Sequence, residues 1–252
     1  MLAFARETRL SETTFVQAAT VSGADYRNRI WSTPGEMPFA GHPSLGTAVA
    51  IARARGQAKA RYVQQTIAGL QPVEVQLDGD HARASMLQEP PRFGARPSPA
   101  DVLAAAGLPI GAADPQLEPV VVSTGCGHLI VPLKDHAALA DAAPDRQALH
   151  DLLEPIDATV LYLAVVDVDR CVARARGFFL EARAVTEDPA TGSAAGPLLA
   201  YVHERDGTDE LTVRQGIEMG RPSRIDCAWA GDRPRVSGDV VVVADGDVRL
   251  GD

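Results

Sequence analysis

Gly35 to Gly56 reads GEMPFAGHPSLGTAVAIARARG, and Glu187 to Gly207 reads EDPATGSAAGPLLAYVHERDG. Each stretch approaches through proline, passes a glycine (Gly41, Gly192) and sets a serine close by (Ser44, Ser193). Each then enters a run of small apolar residues with a further glycine one turn in (Gly46, Gly196). Proline and glycine giving way to such a run mark the start of a helix, the first near Pro43 and ending by Gly56. Two copies of one texture, about 150 residues apart, point to a twofold internal pseudo-repeat.

Working outward, Thr13–Thr20 (TTFVQAAT) is rich in strand formers, VSGADYRN is turn-like, and RIWST resumes an extended pattern, so a hairpin is expected. Beyond the first helix, RYVQQTIAG, QPVEVQLDGD and HARASMLQEP read as three strands of a meander broken by Gly, Asp and Pro. A proline cluster, EPPRFGARPSPADVLAAAGLP, reads as the linker, with Ser98 as N-cap and Pro99 opening a helix through Ala106. The second half repeats the texture: strands in EPVVVSTG and HLIVPL, a helix around DRQALHDLLEPI, then strands in TVLYLAVVD and CVARARGFF. After the second small-residue helix, further strands follow in TVRQGIEMGRPSRIDCAWAG and RVSGDVVVVADGDVRL. The expected domains are residues 1–94 and 95–252, with the last strand able to return to the first domain.

The 252 residues, 46% hydrophobic and 23% charged, are ordinary globular material with no apolar run approaching a membrane span. A net charge of -9 disfavours a nucleic-acid partner. Met1 to Leu10 carries no secretory cleavage pattern, so a cytoplasmic location is expected. Cys126, Cys171 and Cys227 are far apart and form no C-x-x-C pair, which reads as reduced thiols. The six histidines never adopt H-x-x-x-H or H-E-x-x-H spacing, so no metal site is expected.

The chemistry concentrates at the two helix entrances, where unpaired backbone N–H groups and the positive end of the dipole favour an anion. Beside them stand His42 at the first, and Glu187, Asp188 and Ser193 at the second. Glu12, in the apolar setting LSETTFV, is a third candidate, because burial would raise its pKa towards that of a proton shuttle. Each has a plainer reading. His42 fits a structural histidine, Asp188 before Pro189 a turn or cap, and Glu12 a solvated charge. Cys126, in STGCGHL, has only His128 as a basic neighbour and reads as an inert buried thiol. GSAAG is not G-x-S-x-G, so a hydrolase elbow at Ser193 is weakly supported.

Four segments in order, LSETTFV, FAGHPSLGTA, EDPATGSAAG and QGIEMGRPSRI, resemble the PhzF family of phenazine-biosynthesis-like isomerases, relatives of diaminopimelate epimerase and proline racemase. The resemblance implies an α+β fold of two similar domains, each a β-barrel-like sheet wrapped around one central helix, with the active site in the cleft between them. It implies that Glu12 is the proton-transferring acid and base, that His42 and Asp188 line the site as catalytic residues, and that Gly41, Gly192 and Ser193 bind substrate. It implies a cofactor-independent isomerase acting on a small carboxylate-bearing, dihydro-hydroxyanthranilate-like substrate, as a homodimer without a metal. The related epimerases carry catalytic cysteines near these entrances, and none of the three here falls in either motif, which disfavours a two-thiol mechanism.

Members of the family usually begin with a strand and a G-N-P segment ahead of the S-E-T-T motif, whereas this chain starts at MLAFARETRL, in the helix that leads into it. The first domain is therefore expected to be N-terminally truncated, leaving a sheet edge exposed. The alternatives are a racemase or epimerase acting at one carbon, and a non-catalytic protein that binds a small anion at Gly192 and Ser193.

Overall fold

The small-residue helix entered at Gly192 is buried on nearly every side until its last turn, and the one entered at Gly41 on all but a strip carrying His42, Ala50 and Arg53, which a helix tolerates only where other elements cover it. The computed structural model describes residues 1–181 and 184–248, and the chain divides into two units, Met1–Met86 with Ser237–Asp252, and Leu87–Val236.

The first unit holds helix α1 (Leu2–Thr8), strands β1 (Thr13–Gln17), β2 (Tyr26–Trp31) and β3 (Glu36–Met37), helix α2 (Gly41–Ala54), and strands β4 (Lys59–Thr66), β5 (Gly69–Asp78) and β6 (His81–Leu87). Its sheet runs β1-β2-β4-β5-β6, with β3 on β2. The hairpin is present as the antiparallel pair β1–β2, with Thr13 opposite Trp31. The meander is present as β4-β5-β6. Helix α2 starts at Gly41, two residues before the expected proline, and packs on β1, β2, β4 and β5. Ser44, Ala48, Val49 and Ala52 are its most buried residues, and small side chains let the sheet approach its backbone closely.

In the second unit come β7 (Arg92–Phe93), α3 (Pro99–Ala105), β8 (Val120–Ser123), β9 (Gly127–Pro132), α4 (His136–Asp141), α5 (Arg146–Leu153), β10 (Val160–Asp167), β11 (Val172–Glu181) and β12 (Ala184–Asp188). Then follow α6 (Gly192–Asp206), β13 (Glu210–Gln215), β14 (Ser223–Ala230) and β15 (Arg233–Val241), whose residues from Ser237 onward count with the first unit. The sheet order is β14-β13-β11-β10-β9-β8-β7, with β12 on β11. Strand β10 explains its unbroken apolar sequence. Tyr162 and Ala164 face a core built on α6, while Leu161 and Leu163 face a second core built on α3, α4 and α5. With a period of two and both faces covered, the strand is apolar from Val160 to Val166, and the charged Asp167 falls at its exposed end. The sheet of this unit thus carries an outer helical layer in addition to the central helix.

Asp135 and Asp145 cap α4 and α5 by accepting first-turn N–H bonds, whereas Ser98, at the cap position of α3, makes no side-chain cap bond. The expected boundary at residues 94 and 95 lies beyond the observed one. Gln88 and Glu89, ahead of the proline cluster, already bond within the second unit, Gln88 N–H to the Pro234 carbonyl and Glu89 N–H to the Thr124 carbonyl.

Candidate active site

In the first unit, Thr47 on α2 donates to the Thr14 hydroxyl at 2.8 Å and so fastens the start of β1 to the helix. That contact sets Glu12, two residues upstream of Thr14, over the first turn of α2. There Glu12 Oε2 lies 2.9 Å from His42 Nε2. The Glu12 side chain is 17% exposed and that of His42 56%, so the carboxylate is the covered partner and the imidazole the wet one. The residue before α2, Ala40, is extended and offers no side-chain cap, which leaves the first-turn N–H groups without a side-chain acceptor.

Burial pushes the Glu12 carboxyl up, but the His42 imidazole beside it, helped by Ser11, outweighs that and holds the group below its ordinary value. This corrects the expectation that burial would raise it. The apolar setting of LSETTFV was legible in the chain; the arrival of His42 from thirty residues downstream was not.

In the second unit, the Asp188 carboxylate accepts from Ala190 N–H at 3.2 Å and from the Thr191 hydroxyl at 2.9 Å, folding the D-P-A-T turn ahead of α6. Gln215 locks this turn from behind. Its Nε2 donates to the Asp188 carbonyl at 2.6 Å and to Thr191 Oγ1 at 2.8 Å, and its Oε1 accepts from Thr191 N–H and from the Tyr162 hydroxyl at 2.9 Å. Gln215 and Tyr162 are fully buried, so all four bonds form where water cannot replace them. Gly216 follows at φ +77°, with the Arg221 and Pro189 carbonyls against the position a Cβ would take, which is why glycine follows glutamine in the QG pair.

Gln88 makes a second brace, donating to the Gly192 carbonyl at 2.9 Å and accepting from the Thr124 hydroxyl at 2.7 Å. A Cβ on Gly196 would collide with its side-chain oxygen, so this glycine of α6 serves packing. Sequence reasoning missed Gln88, Tyr162 and Gln215 as supports of the α6 entrance. The only signal was the QG pair inside the fourth family segment.

The structure thus brings Glu12, Gly41 and His42 together at the α2 entrance, and Asp188, Gly192 and Ser193 together at the α6 entrance. Glu187 is removed from the acid and base candidates. It makes a two-pronged pair with Arg176 at 2.9 Å on both prongs, and Arg176 also donates to the carbonyls of Leu139, Ala140 and Ala142 at the end of α4. Among the described residues no group of three or more His, Cys, Asp or Glu could hold a metal ion, and no helix is long and apolar enough to cross a membrane.

The fold is the one found in a hydroxyproline epimerase from Agrobacterium vitis (TM-score 0.63, 14% identity, 92% of this chain and 72% of that one). A phenazine biosynthesis protein of the PhzF family from Bacillus anthracis is more similar, with a TM-score of 0.80, 27% identity, and coverage of 96% of this chain and 86% of that one. Over 246 residues the sequence is 39% identical to the trans-2,3-dihydro-3-hydroxyanthranilate isomerase of Pseudomonas aeruginosa, covering 94% of this chain and 82% of the relative. Residues 1–246 match the family described as phenazine biosynthesis-like protein. The family match and the isomerase relatives define the class, an isomerase. The chain belongs to the PhzC/PhzF phenazine biosynthesis-like family.

Proposed function

We propose that this isomerase moves a proton between two carbons of a small, conjugated, carboxylate-bearing substrate of the trans-2,3-dihydro-3-hydroxyanthranilate kind, with Glu12 as the acid and base and without a cofactor. The observation that carries the reading is the Glu12–His42 pair at 2.9 Å over the first turn of α2. A carboxylate held below its ordinary pKa is ionised at neutral pH and therefore starts the cycle as the base. It takes a proton from one substrate carbon, and the electron pair left behind spreads through the conjugated system. The newly neutral Glu12 then returns the proton to another carbon, so the group ends as it began. His42 orients the carboxylate and supports its ionised form. At the α6 entrance Ser193 supplies a donor suited to the substrate carboxylate, and Asp188 an acceptor for its polar substituents.

Glu12→Gln keeps size and loses the base, and general acid–base catalysis of this kind contributes about 10²- to 10⁴-fold. The variant is expected to lose at least that much turnover in deuterated water, followed by mass spectrometry, while still binding substrate. Near-normal turnover would remove Glu12 from the mechanism. Deuterium entering at the abstracted carbon alone, with no shift of the double bonds, would reassign the enzyme as an epimerase. Binding without any exchange would leave an anion-binding protein. The same reading carries a homodimer, to be checked by sedimentation.

A further inference from the structure

Glu187 and Asp188 are neighbours in β12, and neighbours in a strand face opposite sides of the sheet. Asp188 faces the α6 entrance, where its carboxylate meets Ala190 N–H and the Thr191 hydroxyl. Glu187 faces the outer helical layer, where the Arg176 guanidinium takes both of its oxygens at 2.9 Å. The remaining nitrogen of that group, Nη1, donates to the Leu139, Ala140 and Ala142 carbonyls at the end of α4. Arg176 Cζ also lies 4.7 Å from the centre of the Phe178 ring, and the side chain is only 9% exposed, so the fork is held from several directions.

Strand β12 needs such an anchor. It is five residues long, pairs with β11 alone among the described strands, and is followed by Pro189, which has no N–H to extend the ladder. Its last pair, Asp188 opposite Gly177, is also the start of the turn that opens α6. A second arginine repeats the arrangement. Arg174, two residues before Arg176 and on the same face of β11, holds Glu218, whose side chain is 13% exposed. Glu218 stands three residues after Gln215, which clamps the Asp188 turn from behind. On the outer face the two arginines thus hold one carboxylate from each of the segments that carry Asp188 and Gln215 on the inner face.

We propose that Arg176 is a positioning residue for the reaction: by gripping Glu187 on the outer face of β12, it sets the place and direction of the Asp188 carboxylate at the α6 entrance. The proposal rests on the reading of Asp188 as a group that serves the substrate. A two-pronged grip on a carboxylate fixes distance and rotation together, which a single ammonium does not. Once the fork is lost, the Glu187 carboxylate gains by turning out to water, and the end of the strand carries Asp188 with it. A displacement of about 1 Å at a group that orients substrate costs about 10²-fold in rate.

The test compares the whole wild-type protein with Arg176→Lys, which keeps the charge and loses the fork, with Asp188→Ala, and with the double variant, all below the onset of unfolding. One readout is turnover of trans-2,3-dihydro-3-hydroxyanthranilate as the probe in deuterated water. The other needs no turnover: amide exchange of Ala190 by NMR, because the Asp188 carboxylate holds that N–H. Arg176→Lys is expected to lower kcat by about 10- to 10²-fold with a smaller change in KM, and to speed Ala190 exchange by about tenfold. In the Asp188→Ala background both effects should shrink below about twofold, because Arg176 acts through that carboxylate. A merely structural arginine would produce equal losses in the two backgrounds. If Arg176→Lys fails to fold, Glu187→Gln, which keeps the size and loses the paired charge, carries the same expectations. Wild-type kcat and Ala190 exchange in Arg176→Lys, or equal losses in both backgrounds, would overturn the proposal. Wild-type kcat in Asp188→Ala would overturn the reading of Asp188 and the proposal with it. Normal turnover in Glu12→Gln would instead unseat the base and leave the comparison through Asp188 standing.

Discussion

Replacing His42 with Gln should raise the pKa of Glu12 from below to above its ordinary 4.5, because the remaining effects are burial, which raises it, and the lesser Ser11 bond, which lowers it. At 2.9 Å two unit charges attract by about 1.4 kcal/mol with the dielectric of water and about 5.7 kcal/mol with an effective dielectric of 20. His42 is 56% exposed, which places the pair near the weaker limit, at about 1 to 2 kcal/mol. An imidazole is charged over the range where carboxylates titrate, so the full attraction is available there. The assay is a titration of the Glu12 side-chain carboxyl carbon by NMR in both proteins. In wild type the pair stabilises the fold above the unfolded carboxyl pKa, and that contribution disappears as pH falls through the lower folded value; in His42→Gln this acid-side loss should vanish. The acid limb of kcat/KM should move upward with the carboxyl. A Glu12 pKa in His42→Gln that is unchanged or lower would refute the assignment of His42 as the group that holds it down.

Three further outcomes follow from the packing. His128, driven by burial from 6.5 to about 4, binds its proton more readily unfolded, so the fold should lose about 3 kcal/mol as pH falls from 6.5 to 4. Denaturant unfolding at a series of pH values measures this, and a curve that is flat there, or equal in His128→Gln, would contradict it. Gln215→Leu strands the Tyr162 hydroxyl and Thr191 N–H in a dry interior and should cost about 2 to 5 kcal/mol in chemical denaturation, with kcat falling more than KM rises. Gly196→Ala should cost about 1 to 3 kcal/mol by driving into Gln88, and the cost should shrink when Gln88 is also Ala. Additive losses in the double variant would mean that the two residues do not press on each other.

Much of the fold is legible because its signals are local. Strand formers at Thr13–Gln17 and Arg29–Trp31, glycine and aspartate turns between β4, β5 and β6, and proline opening α3 each act over a few residues, although β2 starts at Tyr26, inside the stretch that reads as a turn. The apolar run of β10 was legible as a strand, but that both faces are covered depends on α3, α4 and α5 arriving from elsewhere. The same distinction governs the candidate site. That glycine, proline and small residues open α2 and α6 is written in the chain. Which neighbours are already committed is not: Glu187 beside Asp188 looked equally available until Arg176, on the adjacent strand β11, proved to hold it.

The sequence by itself therefore determined the element types, the two helix entrances and the family, since propensity, turn chemistry and motif order are properties of neighbouring residues. Only the tertiary structure decided the protonation of Glu12, the clamp by Gln215 and the exposure of Cys126 against a buried His128. Those outcomes depend on contacts that folding makes, such as that between Glu12 and His42, 30 positions apart in the chain, and on burial. Electrostatic energies change several-fold over a few ångströms and with the dielectric around them, and neither quantity exists until the chain has folded.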